Sequence, residues 1–173
     1  GNGEPTAHPD FKAIIEDTIQ LRNRHCPEAR VSVLSNATLA AKPSVREALL
    51  MVDNNILKLD TVNAEYIRRV NAPTGHYDVG EVVEALKSYH GHVIIQTMFM
   101  KGRDMHGVSV DNTGEEYVGP WIEAVKAIAP QSVMVYTIDR ETPDHALLKA
   151  THEELDAIVA RVKACGIPAS ASY

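Results

Sequence analysis

The sequence predicts an α/β fold in which a parallel sheet or barrel is packed against outer helices. Segments with helical apolar spacing alternate with short apolar runs, and nowhere do several strand-like runs follow one another. We count four such runs, which are too few to close an eight-stranded barrel. An incomplete barrel or an open sheet therefore fits the pattern better than a closed one.

Four predicted strands and six predicted helices account for most of the chain. The strands are residues 31–34, 56–60, 92–98 and 132–138. The helices are residues 10–25, 43–53, 63–70, 79–89, 113–129 and 151–165. Pro27 ends the first helix, Pro43 suits a first turn, and Gly166 suits a helix stop. Residues 101–111 are predicted to form a long polar loop.

Composition indicates one ordinary domain and disfavours several function classes. The 173 residues suffice for one hydrophobic core, and the apolar runs are far too short to span a bilayer, so no membrane partner is expected. The net charge of −6 disfavours general nucleic-acid binding, although a local basic patch remains compatible with the sequence. Two isolated cysteines, Cys26 and Cys165, form no CxxC pair, and a cytoplasmic location is expected.

Polar side chains lie where each predicted strand ends. Ligands in parallel α/β folds bind outside the carboxyl ends of the strands, so these residues form the candidate site. The candidates are Ser35, Asn36, Lys58, Asp60, Gln96, Asp139 and Arg140.

Lys58 and Asp60 are two residues apart on one predicted strand, so their side chains share a face. If that face points inward, the two opposite charges meet in a partly dry place, where an unpaired charge would be costly. The pair is then either a structural ion pair or a contact for the ribose hydroxyls or charged tail of a polar ligand.

Five short segments, spread over essentially the whole chain, carry a family resemblance. They are residues 3–6 (Gly-Glu-Pro-Thr), the strand ends at 35–36 (Ser-Asn) and 57–60 (Leu-Lys-Leu-Asp), and residues 95–99 and 136–140. Their ordered series resembles the radical S-adenosylmethionine (radical SAM) superfamily of iron–sulfur oxidoreductases and activating enzymes. The first segment is similar to that family's glycine-glycine-glutamate-proline segment, which follows its second barrel strand.

The resemblance implies an incomplete, open TIM-like barrel of the (βα)6 type and a cofactor site for S-adenosylmethionine (SAM). Gly3 and Glu4 would receive the amino group of its methionine moiety. Ser35 and Asn36 would lie near its carboxylate or ribose.

The later strand ends receive roles from the same resemblance. Lys58 and Asp60 would lie at the ribose and carboxylate end of SAM, and Gln96 would touch the cofactor or the substrate. Asp139 and Arg140 would face the substrate.

The resemblance also identifies what the chain lacks. The family's Cys-x3-Cys-x2-Cys loop binds three irons of a 4Fe–4S cluster, precedes the glycine-glutamate segment, and is absent here. Residues 1–173 are therefore expected to be the C-terminal two-thirds of a radical SAM barrel domain, without its first two strands and cluster loop. The parent oxidoreductase would cleave SAM to make a 5′-deoxyadenosyl radical for hydrogen abstraction. This chain alone is expected to hold neither SAM nor the cluster and to be inactive.

Two other functions remain open. One is a non-catalytic binding module derived from the barrel, and the other is a cluster-independent lyase or isomerase that uses Glu4, Lys58 and Asp60 for acid–base work. The residues do not show whether the substrate is a small molecule or a protein. His90 and His92 lack further ligands at convincing spacing, so no metal site is predicted.

Overall fold

The computed structural model describes residues 3–139 and 146–173, and its main element is a parallel sheet of five strands. The strands are β1 (Ser32–Ser35), β2 (Asn54–Lys58), β3 (Ile94–Met98), β5 (Ser132–Tyr136) and β7 (Ala169–Ser172). They lie side by side in the order β1-β2-β3-β5-β7, and every neighbouring pair is parallel. All five carboxyl ends therefore meet at one edge of the sheet.

The predicted α/β class and the four predicted strands are confirmed, but the expected number of parallel strands is one too low. The additional strand, β7, alternates alanine and serine, which are not typical strand residues. It is a strand because it pairs with β5 and because Ala169 and Ala171 pack against the core. Both influences are tertiary, so the local pattern does not reveal them.

The six predicted helices are all present, with ends that differ by a few residues. Their bounds are α1 Phe11–His25, α2 Pro43–Met51, α3 Ala64–Tyr66, α4 Val79–Lys87, α5 Glu115–Ile128 and α6 His152–Ala164. The short α3 continues into a π-helical turn, Ile67–Asn71, and a 3₁₀ turn, Pro5–Ala7, precedes α1. Within the described part of the chain, no helix is both long enough and apolar enough to cross a membrane.

A second, two-stranded sheet forms where the sequence predicts a polar loop. Strand β4 (Met100–Gly102) pairs antiparallel with β6 (Leu147–Lys149). The Asn112 side chain accepts a hydrogen bond from the Met100 N–H at 2.9 Å, and the Val110 N–H donates to the Gly102 carbonyl at 3.0 Å. The predicted polar loop is therefore wrong for residues 101 and 102, which belong to β4. The local sequence does not reveal this strand because its partner, β6, is distant in the chain.

Among the described residues, the main hydrophobic core joins the helices to one face of the main sheet. Leu57 and Ile95, on β2 and β3, are buried in the same core as Trp121 of α5. Neighbouring strand residues point to the opposite face, where Leu34 is 54% exposed and Met134 is 38% exposed. We call this second side the open face of the sheet.

Truncation of one leucine on each face tests this arrangement. Leu57→Ala removes a side chain that is 0% exposed, so we expect the free energy of unfolding to fall by about 2–5 kcal/mol. Leu34→Ala, on the open face of the adjacent strand, should change it by no more than about 0.5 kcal/mol. Urea unfolding followed by circular dichroism measures both, and equal losses would mean that the open face is packed in solution.

Candidate functional site

A cavity lies at the carboxyl ends of β1 and β2. Its volume is about 190 Å³, and most of the residues that line it are polar. Three of the residues proposed from the strand ends line it, namely Asn36, Lys58 and Asp60. The other lining residues are Thr38, Thr61, Ile67, Asn71, Pro73 and Tyr77. The structure thus brings the ends of two adjacent strands together in what we call the first cavity.

The Asp60 carboxylate is the central group of the first cavity. Its side chain is 6% exposed. Oδ1 accepts a hydrogen bond from the Met98 N–H at 2.9 Å, and Oδ2 accepts one from the Asn71 side-chain amide at 2.9 Å. The Lys58 ammonium lies 3.1 Å from the same Oδ2. The ion pair considered from the sequence is therefore present, and the carboxylate also ties β2 to β3 and to the π-helical turn.

Asn71 reaches Asp60 because the helix that carries it widens into a π-helical turn. The turn Ile67–Asn71 ends at Ala72, whose φ of 42° lies in the left-handed region. A π-helical turn shifts the side chains that follow it relative to an α-helix, and such turns are frequent at functional sites. The sequence predicts an ordinary helix here, so it does not place Asn71 in the site.

Lys58 is charged and Tyr136 is neutral at neutral pH. Burial alone would lower the pKa of Lys58, but the Asp60 carboxylate and the Tyr136 hydroxyl outweigh burial, and the pKa is raised. Burial raises the pKa of Tyr136, and the nearby Lys58 ammonium only partly opposes it. Across the first cavity, burial and Asp60 together raise the pKa of Tyr77 to about 12.

The Glu4 carboxylate fastens the N-terminal turn to the end of β1. Oε1 accepts hydrogen bonds from the Thr6 N–H at 3.1 Å and the Thr6 hydroxyl at 2.6 Å, and Oε2 accepts one from the Asn36 N–H at 2.7 Å. The nearby Ser35 hydroxyl also helps to lower the pKa of Glu4. A carboxylate has about four acceptor sites, so the three hydrogen bonds occupy most of its capacity. The contact of Glu4 with the SAM ammonium stays a prediction.

Ser35 and Gly3 are not among the residues that line the first cavity. Ser35 shares the helix-covered side of β1 with Val33, and its Oγ accepts a hydrogen bond from the Ala37 N–H at 3.1 Å. Gly3 is exposed, and its φ of 126° favours glycine. The roles toward SAM predicted for these two residues also stay predictions.

A second cavity of about 310 Å³ lies at the carboxyl ends of β3, β5 and β7. Gln96 and Asp139, both proposed from the sequence, line it together with Tyr136. Gln96 and Asp139 therefore line a different cavity from Lys58, although Gln96 stands in register with Lys58 on the neighbouring strand. Arg140 lies outside the described residues, so its predicted role stays a prediction.

Asn71, Tyr77 and Tyr136 are among the lining residues that were not candidates from the sequence. A signal exists for Tyr136, because it follows Met134 by two residues on β5 and therefore shares its face. Tyr77 lies in the loop before α4, and Asn71 depends on the π-helical turn. Neither of these two has a sequence pattern that points to the site.

The residues of this chain do not fit a 4Fe–4S cluster. The two cysteines of the sequence, Cys26 and Cys165, are exposed at the C-terminal ends of α1 and α6. Among the described side chains, no group of three histidine, cysteine or carboxylate residues could hold a metal ion. His92 instead donates a hydrogen bond from Nε2 to the Val52 carbonyl at 2.9 Å. The first cavity, in contrast, offers donors and a carboxylate that suit the polar groups of SAM.

Curated relatives match most of this chain but only part of their own length. GTPase Obg of Brachyspira hyodysenteriae is 25% identical over 160 residues, which are 90% of this chain and 22% of that protein. A UPF0026 protein of Synechocystis sp. is 26% identical over 147 residues, which are 83% of this chain and 50% of that protein. The chain thus spans between 22% and 50% of the length of these two relatives. No protein-family model matches the chain.

Solved structures match the whole architecture. A domain of pyruvate-formate lyase-activating enzyme from Bacteroides vulgatus has a TM-score of 0.70 at 14% identity, covering 100% of this chain and 96% of that one. A radical SAM methyltransferase from Sphaerobacter thermophilus has a TM-score of 0.65 at 16% identity, covering 99% of this chain and 48% of that one. SuiB of Streptococcus suis, bound to SAM, has a TM-score of 0.70 at 12% identity, covering 99% of this chain and 38% of that one.

The chain therefore has the α/β, partial-barrel fold of radical SAM enzymes, and the resemblance stated from the sequence is confirmed for the fold. At these identities the likeness concerns the fold, and the site must be argued from the residues of this chain.

Removal of the Asp60 carboxylate tests its structural role. Asp60→Ala leaves the Met98 N–H, the Asn71 amide and the Lys58 ammonium without their shared acceptor, so we expect a loss of about 3 kcal/mol in the free energy of unfolding. Urea unfolding measures it. The control is Glu47→Ala, which breaks the exposed pair with Lys12 and should change stability little. If Asp60→Ala lowered the free energy of unfolding by no more than Glu47→Ala does, the structural role assigned to the Asp60 carboxylate would be contradicted.

The pH dependence of stability tests the bonds of Glu4. Burial alone would raise the pKa of Glu4, but its hydrogen bonds lower it below the ordinary 4.5. The stabilisation is therefore present above the ordinary pKa and is lost as pH falls through the folded-state pKa. We expect Glu4→Gln to be less stable than the parent at neutral pH and to lose less stability on acidification to about pH 3.

Thermal unfolding across this pH range provides the measurement. Thr6→Val removes one of the donors to Glu4 and should reduce the acid-dependent loss by a smaller amount. Identical pH profiles for Glu4→Gln and the parent would show that the carboxylate does not hold the turn.

Proposed function

We propose that this chain forms the cofactor- and substrate-binding wall of a radical SAM oxidoreductase. The observation that carries the proposal is the charged first cavity at the carboxyl edge of a sheet with the radical SAM fold. Parallel α/β proteins bind ligands at this edge. SuiB, which shares the fold, has been solved bound to SAM.

Asn36 and Lys58 are the residues that would donate hydrogen bonds to SAM. The Asn36 Oδ1 accepts from the Thr38 N–H at 3.0 Å and from the Thr38 hydroxyl at 2.7 Å. These bonds orient the side-chain amide, and its nitrogen would donate to an acceptor of the ligand. An ammonium has three N–H donors. The Lys58 ammonium lies 3.1 Å from the Asp60 Oδ2, and an N–H that is not directed at Asp60 suits the carboxylate or a ribose oxygen of SAM.

Asp60 would act through Lys58 more than on the ligand. Its two oxygens already accept from Met98 and Asn71 and face the Lys58 ammonium. The carboxylate therefore fixes the position of the ammonium and keeps it charged in a partly buried place. We assign to these residues the binding and orientation of SAM.

The 4Fe–4S cluster of a radical SAM enzyme would have to be held by residues outside this chain, because the two cysteines present do not form a donor set. In the proposed parent enzyme the cluster supplies the electron for SAM cleavage. We derive no step of that chemistry from the residues of this chain.

A second candidate function is a binding module without catalysis. The observation that favours it is the same lack of three cysteine ligands in the sequence. A cluster-independent lyase or isomerase has less support. Its acid–base set would need Glu4 near Lys58 and Asp60, whereas the Glu4 carboxylate is bound to Thr6 and Asn36.

Titration of the chain with SAM tests the proposed binding wall. With no cluster to chelate the methionine moiety, we expect weak binding with a dissociation constant of about 1 mM. Lys58→Met should weaken it by roughly tenfold, since a hydrogen bond to a charged group is lost. Isothermal titration calorimetry measures the affinity.

Lys12→Met is the matched control and should bind as the parent does, because Lys12 is on α1 and does not line the first cavity. Thermal unfolding confirms that each variant is folded. Equal affinities of the parent and Lys58→Met would remove Lys58 from the site.

The coding sequence upstream of Gly1 separates the oxidoreductase from the binding module. A strand followed by three cysteines at the family spacing would support the oxidoreductase. That extended protein should be reconstituted anaerobically with iron and sulfide. We expect a broad charge-transfer absorbance and release of 5′-deoxyadenosine from SAM, and a cysteine-complete protein that shows neither would refute the proposal.

A further inference from the structure

A third cavity, with a volume of about 230 Å³, shares part of its wall with the first cavity. Lys58, Asp60 and Asn71 line both cavities. The Asn71 side-chain amide donates to the Asp60 carboxylate at 2.9 Å, and the Lys58 ammonium lies 3.1 Å from it. These three linked side chains therefore form a polar partition between the first and third cavities.

Beyond the partition, the wall of the third cavity is apolar. It consists of Tyr66, Val70, Met98 and Met100, which belong to a small hydrophobic cluster around Val110. The Tyr66 hydroxyl already donates to the Val110 carbonyl at 2.8 Å, so this residue contributes an aromatic ring and no free O–H donor. The wall therefore suits a hydrocarbon group of a ligand.

Hydrogen bonds to the backbone hold the methionines of this wall. The Met98 N–H donates to the Asp60 Oδ1 at 2.9 Å. The Asn112 side chain, which is buried, donates to the Met98 carbonyl at 2.9 Å and accepts from the Met100 N–H at 2.9 Å. The third cavity is thus held in shape by the protein itself, which reduces the ordering that binding requires.

The partition determines which charge a ligand should carry. The Asp60 oxygens already accept from Met98 and Asn71 and face Lys58. Lys58 is the one cationic side chain among the described residues of this wall. Its ammonium has three N–H donors, so donors remain for an anionic oxygen after the contact with Asp60. A carboxylate would therefore be attracted here, and a second ammonium would be repelled.

The volume of the third cavity limits the size of the apolar group. A cavity of about 150 Å³ is sufficient for benzene. About 230 Å³ therefore has room for an apolar body of up to about six carbon atoms.

We infer that the third cavity is a substrate pocket for a small carboxylate with an apolar body, whose carboxylate lies at Lys58 and whose body packs against Val70, Met98 and Met100. That this carboxylate is the substrate of a radical SAM enzyme rests on the proposed function. The preference for this class of ligand rests only on the residues of the third cavity. Because Lys58 lines both cavities, the substrate would lie next to the SAM proposed for the first cavity.

The five methionines of the chain can report where a carboxylate binds. Met98 and Met100 line the third cavity, Met134 lines the second, and Met51 and Met105 are exposed. The 173-residue chain is labelled with methyl-¹³C methionine and followed by NMR, and single Met→Leu substitutions assign the signals. The probes are acetate, butyrate and hexanoate, together with hexylammonium, all added without SAM.

We expect hexanoate to shift the signals of Met98 and Met100. Affinity should rise about threefold to fourfold with each methylene from acetate to hexanoate, because each one leaves water for the apolar wall. Hexylammonium, of similar length, should bind at least about tenfold more weakly than hexanoate. Lys58→Met should abolish the preference for the carboxylate.

Val70→Phe tests the apolar wall, because the larger side chain fills part of the third cavity. It should lower the affinity for hexanoate by about tenfold and leave that for acetate within about twofold. Val108→Phe is the matched control, since Val108 is exposed and does not line the third cavity. Val70→Ala, which enlarges the cavity, provides a second test and should extend the favourable chain length by about one methylene. The methyl spectra show whether each variant is folded.

Several results would overturn the inference. These are equal affinities for acetate and hexanoate, equal affinities for hexanoate and hexylammonium, equal effects of Val70→Phe and Val108→Phe on hexanoate binding, and shifts of Met134 without shifts of Met98 and Met100. SAM is absent from this experiment, and Val70 does not line the first cavity. Failure of the carboxylate titration is therefore distinguishable from failure of the SAM titration.

Discussion

The buried carboxylate of Asp60 is the constraint on which the candidate site depends. A carboxylate removed from water must have partners, and Asp60 takes them from three places: the backbone of Met98 on β3, the Asn71 amide on the π-helical turn, and the Lys58 ammonium on β2. These bonds hold three separate segments at one point. The polar wall of the first cavity follows from them, and so does the fixed position of Lys58.

The open face of the sheet gives the site its form. Helices cover one side, where Leu57 and Ile95 are buried, and the other side carries Lys58, Gln96 and Tyr136 in neighbouring registers. Lys58 lines the first cavity, and Gln96 and Tyr136 line the second.

Similarity to solved structures establishes the fold of this chain but not the function of its site. The fold is that of radical SAM enzymes, although identities of 12% to 16% leave the site to be argued from this chain. The likeness to GTPase Obg covers 22% of that protein, and no Gly-x4-Gly-Lys-Ser/Thr motif for nucleotide phosphates occurs in the sequence. For Glu4, too, resemblance and structure indicate different roles. Its segment resembles a cofactor-binding motif, but its carboxylate accepts hydrogen bonds from Thr6 and Asn36 of the protein itself.

The sequence by itself determined the α/β class, the six helices, four of the five parallel strands, and the meeting of Asn36, Lys58 and Asp60. Apolar periodicity and the alternation of strand faces are local properties, and the shared edge follows from parallel strands. Only the tertiary structure decided that β7 is a strand, that Asn71 reaches Asp60, and that Gln96 lies in a second cavity. Each of these depends on groups distant in sequence, or on a π-helical turn, a rare variation that the apolar pattern of an α-helix does not reveal.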